Sequence, residues 1–139
     1  MDPTVGILGL GYLGSTLARL VPWSPQSWGT CRPSSYPAIL TKQPLPVLPF
    51  DWTQTSSWEV LPIQSATLIL TIPPIRDLEA NQNHLQHWSA WMREHRPACS
   101  RLLYVSTTGI YPKKAGVWTE DTREEPDSLS GKLRKQTED

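Results

Sequence analysis

"VGILGLGYLGSTLARLV", Val5 to Val21, contains three glycines, at positions 9, 11 and 14. The apolar run Val5–Leu8 in front of them predicts a short buried strand. Behind them, leucines at positions 13, 17 and 20 recur at the spacing of one helical face, and Pro22 ends that helix. Glycine destabilises strands and helices alike, so three glycines at a strand-to-helix junction indicate a backbone that another group approaches closely.

The rest of the chain continues this pattern of strands and helices. Further strand-forming segments are Ser27–Arg32, Leu45–Trp52, Ala66–Ile72 and Arg101–Thr107, and helical segments are Arg76–His95 and Ser128–Glu138. Prolines at positions 46 and 49 place the Leu45–Trp52 strand at a sheet edge. Asn81 interrupts the apolar face of the Arg76–His95 helix. The apolar runs Ala66–Ile72 and Arg101–Thr107 do not alternate with polar residues, which predicts strands covered on both faces. We therefore expect an α/β fold with a doubly wound parallel sheet.

The composition excludes several classes of protein. The 139 residues fit one domain, and 13 basic and 13 acidic side chains leave no net charge to draw the chain to nucleic acid or an anionic membrane. No apolar run approaches the ~18 residues of a membrane-spanning helix. The two cysteines, Cys31 and Cys99, form no disulfide framework, which indicates a reducing compartment and a cytoplasmic protein. His84 and His87 have no further ligands nearby, so we expect no metal site.

The glycines form the pattern G-x-G-x-x-G, read as Gly9-Leu10-Gly11-Tyr12-Leu13-Gly14. The first glycine permits a tight turn, the second lets a pyrophosphate approach, and the third allows close packing of helix on sheet. The phosphates would bind free backbone N–H groups at the helix N-terminus, where the helix dipole favours negative charge. The sequence therefore predicts a dinucleotide site at Gly9, Gly11, Tyr12, Leu13 and Gly14. The alternative is a purely structural turn.

In such sites, the residue at the end of the second strand, about 20 residues beyond the glycines, contacts the adenosine ribose. Arg32 occupies this position. A carboxylate there would accept hydrogen bonds from the ribose diol, whereas a guanidinium pairs with a 2′-phosphate. Since no Asp or Glu occupies this position, NADP is favoured over NAD as the cofactor. The alternative is that Arg32 is a solvated residue at a strand end.

Five motifs now give the chain a family resemblance. They are GLGYLG at 9–14, GTCR at 29–32, FDW at 50–52, TIPP at 71–74 and VSTTGIY at 105–111. In this order they resemble the short-chain dehydrogenase/reductase superfamily, in the extended or atypical branch that includes the NAD-dependent epimerase/dehydratases. The resemblance covers Val5 to Tyr111 and implies a Rossmann fold that binds NAD(P).

The resemblance also implies roles for single residues. Asp51 and its neighbour Trp52 would contact the cofactor at the adenine, although an Asp there is equally suited to a turn or a helix cap. Pro73 would lie against the cofactor or simply end the fourth strand. Thr107 matches the catalytic Ser/Thr that hydrogen-bonds a substrate oxygen, and threonine is also common at strand ends.

The sequence departs from the family at the proton donor. The superfamily uses a tyrosine in Y-x-x-x-K, but no tyrosine follows Tyr111, and the spacing is matched instead by Ser130 and Arg134. A serine hydroxyl does not titrate usefully, and arginine stays protonated. The catalytic proton donor is therefore unassigned.

The last part of the chain is charged and poor in core residues. Residues 113–139 carry 13 of the 26 charged side chains. We expect residues 1–112 to form the NAD(P)-binding domain, and residues 113–139 to form a charged loop and the start of a further helix. Members of the resembled branch continue beyond that helix, so the chain is expected to be a truncated cofactor-binding portion.

Two classes of function follow as expectations. The first is the NAD(P)-binding domain of an oxidoreductase or nucleotide-sugar epimerase/dehydratase-like protein, acting on a small molecule by hydride transfer, with homo-oligomerisation left open. The second is a non-catalytic dinucleotide-binding or sensing module, or an inactive remnant.

Overall fold

The computed structural model describes residues 4–36, 43–105, 116–117, 119, 125–126 and 128–139. This part of the chain contains five strands, three α-helices and one 3₁₀ helix. Their bounds are β1 Val5–Leu8, α1 Tyr12–Leu20, β2 Trp28–Cys31, β3 Val47–Pro49, a 3₁₀ helix Thr55–Val60, β4 Thr67–Leu70, α2 Leu78–His95, β5 Arg101–Tyr104 and α3 Leu129–Glu138.

The strands form one parallel sheet in the order β3-β2-β1-β4-β5. The register places Ile7 of β1 opposite Gly29 of β2 on one side and Ile69 of β4 on the other. The chain thus winds outward from β1 in one direction and then from β4 in the other, which confirms the predicted doubly wound sheet. The predicted edge position of the third strand is confirmed as well. Between β1 and β4 lies the switch point at whose carboxyl ends ligands bind in open α/β sheets.

The chain divides into two compact units. The first comprises Met1–Ile72 with Trp91–Val105, and the second comprises Pro73–Ala90 with Ser106–Asp139. The first unit holds the whole sheet. On one face of that sheet the buried side chains are aliphatic or small: Ile7, Leu10, Ala18, Cys31, Leu45, Val47 and Ile69.

Trp28 packs over the centre of the sheet. Its ring, 3% exposed, lies over Gly6, its parallel neighbour on β1. A Cβ added at Gly6 would overlap the ring, so a side chain on Gly6 and the indole exclude each other. The indole Nε1–H donates to Ser65 Oγ at 2.9 Å. The glycine at position 6 therefore provides the space that the tryptophan fills.

β5 corrects one expectation. The run Arg101–Thr107 predicts a strand covered on both faces, yet Leu102 and Leu103 are 54% and 56% exposed. These neighbours point to opposite faces of the sheet, so each face is open there. The physical reason is position, because β5 is an edge strand and an apolar run is buried only where other elements pack against it.

In the second unit a buried amide organises α3. Asn81 of α2 is fully buried, and its Oδ1 accepts a hydrogen bond from the backbone N–H of Ile75 at 3.1 Å. Its Nδ2 donates to Gln136 Oε1 at 2.7 Å and to Thr137 Oγ1 at 3.3 Å. Gln136 in turn donates to the Leu78 carbonyl oxygen at 2.9 Å. Asn81, which interrupts the apolar face of α2, thus orients α3 through its hydrogen bonds to Gln136 and Thr137.

Replacing Asn81 by leucine is expected to loosen α3. The variant leaves the Ile75 N–H and the Gln136 side chain without their buried partner, and each such group costs about 1–3 kcal/mol. We expect a matching fall in the free energy of unfolding and faster amide hydrogen exchange in residues 129–138. The control is Asn83→Leu, an exposed position on the same helix. Equal stability of the two variants would contradict this role for Asn81.

Within the described ranges, no helix is both long and apolar enough to traverse a lipid bilayer.

Candidate functional site

The three motif glycines occupy the connection between β1 and α1, and each has a different surrounding. Gly9 has φ +105°, and a Cβ there would lie 2.6 Å from Thr71 Oγ1. A Cβ on Gly14 would overlap the carbonyl oxygen of Gly9. Around Gly11, in contrast, an added Cβ would meet no atom within 4 Å beyond its two chain neighbours. The protein itself therefore requires glycine at positions 9 and 14, while the space in front of Gly11 is open.

The N-terminus of α1 faces this loop without a cap. Gly11 is the N-cap residue and offers no side-chain hydrogen bond, and the first turn holds no acidic residue. The first helical hydrogen bond runs from the Ser15 N–H to the Gly11 carbonyl oxygen at 2.9 Å. The N–H groups before it have no acceptor within an α-helix, and the helix dipole adds partial positive charge there. Tyr12 and Leu13, 93% and 41% exposed, lie on this first turn.

Hydroxyl groups from β2 and from the end of β4 hold Gly9 in place. The Gly9 N–H donates to Thr30 Oγ1 at 3.0 Å, and the Thr71 hydroxyl donates to the Gly9 carbonyl oxygen at 2.7 Å. The next residue, Leu10, donates its N–H to the Thr30 carbonyl oxygen at 2.7 Å. Sequence reasoning assigned no role to Thr30 or Thr71, although both lie in the motifs GTCR and TIPP.

Arg32 and Asp51 follow β2 and β3 at the same edge of the sheet as the glycine loop. Arg32 is exposed. Asp51 Oδ1 accepts hydrogen bonds from the Thr53 hydroxyl at 2.7 Å and from the Thr53 N–H at 2.9 Å. The Thr53 hydroxyl is the largest cause of a lowered pKa at Asp51, with the Thr53 N–H and the charge of Arg32 adding to it against the opposing effect of burial. The charge of Arg32 is thus near enough to act on the Asp51 carboxylate.

Three further predicted site residues have different surroundings. Trp52 is buried, 5% exposed, and its carbonyl oxygen accepts a hydrogen bond from Trp58 Nε1 at 3.1 Å. Pro73 is exposed in the second unit. Thr107 lies outside the described residues. The roles of all three stay predictions.

Across the described ranges, no group of three or more His, Cys, Asp or Glu side chains is placed to hold a metal ion.

The fold can now be set beside those of known proteins. No protein-family model and no curated protein matches the sequence. Solved structures do match. One is a candidate NAD-dependent epimerase/dehydratase from Methylobacillus flagellatus, with TM-score 0.69, 20% identity and 98% of this chain covered. Another is UDP-glucuronic acid 4-epimerase from Bacillus cereus in complex with NAD, with TM-score 0.70, 16% identity and 97% of this chain covered. A functionally unknown conserved protein from Silicibacter pomeroyi matches over 99% of this chain, with TM-score 0.70 and 20% identity.

The chain shares the fold of the epimerase/dehydratases. The resemblance inferred from the sequence motifs is therefore confirmed as a likeness of fold. The chain spans about half the length of these structures, since the matches cover 49%, 50% and 47% of the three proteins in the order given.

The loop between β1 and α1 can offer an anion several backbone N–H groups at once, and the space at Gly11 is open. The exposed guanidinium of Arg32 adds a second, side-chain donor for an anionic group at the neighbouring strand end.

Proposed function

We propose that this chain binds a nicotinamide dinucleotide, with its pyrophosphate on the backbone N–H groups of Gly11, Tyr12 and Leu13. The observation that carries the proposal is the open space at Gly11 beside an uncapped helix N-terminus. A purely structural turn explains Gly9 and Gly14, whose Cβ atoms would overlap other atoms; glycine is also a favoured N-cap residue, but such a turn does not require it at position 11. A phosphate that packs against the backbone does.

The proposal is tested by titrating the tryptophan fluorescence of the chain with NADPH and with NADH. Saturable quenching that inorganic pyrophosphate competes away supports a phosphate-dependent dinucleotide site. No saturable change with either cofactor, in a sample whose circular dichroism shows helix and strand, rejects it.

We favour NADP over NAD as the cofactor because of Arg32. Its guanidinium is exposed at the end of β2, next to the strand that carries the glycine loop. A guanidinium forms charge-assisted, often bidentate hydrogen bonds with a phosphate but gains less from a neutral ribose hydroxyl. The neighbour from B. cereus is described in complex with NAD, which is a property of that protein.

Replacing Arg32 by alanine is expected to weaken NADPH binding selectively. The loss of a charge-assisted contact corresponds to about 1–3 kcal/mol, or roughly a tenfold to hundredfold rise in Kd. The Kd for NADH should change by less than about threefold. Fluorescence titration of both cofactors measures the preference directly.

Arg19→Ala is the control, since Arg19 is an exposed arginine in the last turn of α1. It removes the same charge from the protein but not from the strand end, so both affinities should stay at the wild-type level. An unchanged cofactor preference in Arg32→Ala excludes the assignment of NADP.

As a reaction class we propose hydride transfer, which the nicotinamide supplies when bound. Residues 1–112 would bind and orient the cofactor, and Thr107 would hydrogen-bond an oxygen of a small-molecule substrate such as a nucleotide sugar. Asp51 would contact the adenine through the carboxylate atoms that Thr53 does not engage. The free thiols of Cys31 and Cys99 favour a cytoplasmic location.

One observation favours a second candidate, a dinucleotide-binding module without catalysis. In α3 the spacing of the catalytic Tyr and Lys is matched by Ser130 and Arg134, neither of which can serve as the proton donor near neutral pH. A spectrophotometric screen with NADPH and simple carbonyl compounds separates the two candidates. Tight cofactor binding with no turnover supports the module, whereas oxidation of NADPH supports the enzyme.

A further inference from the structure

Three hydroxyl groups surround the glycine loop, and we name them the loop hydroxyls: those of Thr30, Thr71 and Ser15. They come from β2, from the residue after β4, and from α1. We propose that the loop hydroxyls are positioning groups, which fix the peptide planes of the loop so that the Gly11 N–H points toward the bound pyrophosphate. This inference rests on the proposed function.

The first peptide plane is held from both sides. In the peptide that joins Gly9 to Leu10, the carbonyl oxygen accepts from the Thr71 hydroxyl at 2.7 Å and the N–H donates to the Thr30 carbonyl oxygen at 2.7 Å. The Thr30 hydroxyl acts one peptide earlier, where it accepts from the Gly9 N–H at 3.0 Å. The C=O and N–H of a trans peptide point in opposite directions. Because β1 lies between β2 and β4, Thr30 and Thr71 bind this peptide from opposite sides and fix its orientation.

The Thr71 hydroxyl lies near two carbonyl oxygens, and one of them already has another donor. The hydroxyl is also 3.1 Å from the Leu8 carbonyl oxygen, but that oxygen already accepts the Thr71 backbone N–H at 3.0 Å. A hydroxyl has one proton to donate, so the shorter contact to Gly9 is the one that it serves. Thr71 Oγ1 also lies 2.6 Å from the position of a Cβ on Gly9, too close for a side chain there, so this contact requires the glycine.

The second peptide plane is set by Ser15. In the peptide that joins Leu10 to Gly11, the carbonyl oxygen accepts from the Ser15 hydroxyl at 2.9 Å. The Gly11 N–H on the other side of that plane therefore points away from Ser15. Gln43 Nε2 donates to Ser15 Oγ at 2.9 Å, which holds the hydroxyl in the orientation that reaches Leu10.

A loop that is already in its binding conformation does not have to be ordered when the ligand arrives, so binding is tighter. The loop hydroxyls should therefore affect ligand affinity beyond their effect on stability. A merely structural hydrogen bond elsewhere in the sheet would change stability alone. This difference separates the two roles experimentally.

The decisive variant is Thr71→Val, which keeps the shape of the side chain and removes the hydroxyl. We expect the Kd for NADPH to rise about tenfold, the equivalent of one lost hydrogen bond. Thr71→Ser restores the hydroxyl and should bind within about twofold of the wild type. Both are measured by tryptophan fluorescence, beside the melting temperature of each variant.

Ser65→Ala is the matched control. It removes the buried hydroxyl that accepts from Trp28 Nε1, away from the loop, and should lower the melting temperature without changing the Kd. Equal Kd values for Thr71→Val and Ser65→Ala overturn the inference and leave the proposed function intact. A wild-type chain that binds no dinucleotide overturns the proposed function itself.

Ser15→Ala decides the matter if Thr71→Val does not fold. Alanine has a higher helix propensity than serine, so this variant keeps α1 while removing the hydrogen bond to Leu10. We expect a rise in Kd of about threefold or more at an unchanged melting temperature. An unchanged Kd contradicts the positioning role.

Discussion

Gly11→Leu is expected to abolish measurable dinucleotide binding in a chain that still folds. The backbone of Gly11 is extended, with φ −78° and ψ −153°, and beyond the two neighbouring residues no atom lies within 4 Å of an added Cβ. The leucine side chain would fill the space that we assign to the pyrophosphate. Two lost charge-assisted hydrogen bonds correspond to a Kd increase of more than about 100-fold.

The effect on stability should be small by comparison. Leucine is a poorer N-cap residue than glycine, so we expect the free energy of unfolding to fall by about 1 kcal/mol. Fluorescence titration with NADPH gives the affinity, and urea denaturation gives the stability. Binding at wild-type strength in well-folded Gly11→Leu would falsify the proposed pyrophosphate site, and the roles of Arg32, Asp51 and Thr107 would lose their basis with it.

Two companion variants make the result specific. Arg19→Leu places the same side chain in the last turn of α1 and should leave the affinity unchanged. Gly14→Ala should lose affinity and stability together, because its Cβ would overlap the Gly9 carbonyl oxygen and displace the loop. We therefore expect Gly11→Leu to lower the affinity with little loss of stability, whereas Gly14→Ala should lower both.

The parts of this fold that the sequence predicted are those set by local patterns. The strand at Val5–Leu8, the helix after it and the glycine motif depend on neighbours a few residues apart, and the structure places them as expected. The doubly wound parallel sheet was predicted from apolar runs that do not alternate with polar residues, which is also a local pattern. The 3₁₀ helix Thr55–Val60 was not predicted, since six residues carry too little periodicity to distinguish it from a loop.

The parts that escaped prediction depend on distant partners. Thr71 bonds a residue 62 positions away, and Asn81 bonds Gln136 at 55 positions. In the sequence, Thr71 is one threonine near a strand end, and Asn81 is a polar break in an apolar helix face. A polar residue in an apolar helix face usually marks an exposed position. Asn81 is buried instead, because tertiary packing brings hydrogen-bond donors and acceptors to its amide.

Gly6→Ala is expected to destabilise the first unit strongly, although Gly6 lies outside the proposed ligand site. The new Cβ would overlap the ring of Trp28, which is 3% exposed and tied to Ser65 by its indole N–H. The ring cannot simply rotate away, so the strands must shift. Overpacking of this kind costs about 1–3 kcal/mol. Urea denaturation measures the change, and dinucleotide affinity well below the transition should stay at the wild-type level.

A double-mutant cycle with Trp28→Leu tests the cause. Trp28→Leu alone leaves a cavity and is expected to cost about 3 kcal/mol or more. In the double variant the methyl group introduced by Gly6→Ala enters space that the smaller side chain has vacated. The combined loss should therefore fall short of the sum of the single losses by about 1 kcal/mol or more.

Val47→Ala supplies the control cycle. Val47 is buried in the aliphatic cluster on the other face of the sheet, on the edge strand β3. Without a shared partner, its loss and that of Gly6→Ala should add within about 0.5 kcal/mol. If the losses from Gly6→Ala and Trp28→Leu also add, the need for glycine at position 6 does not come from the Trp28 indole. Coupling confined to Trp28 would instead identify Gly6 as a packing glycine, distinct from Gly11, where the proposed ligand site requires open space.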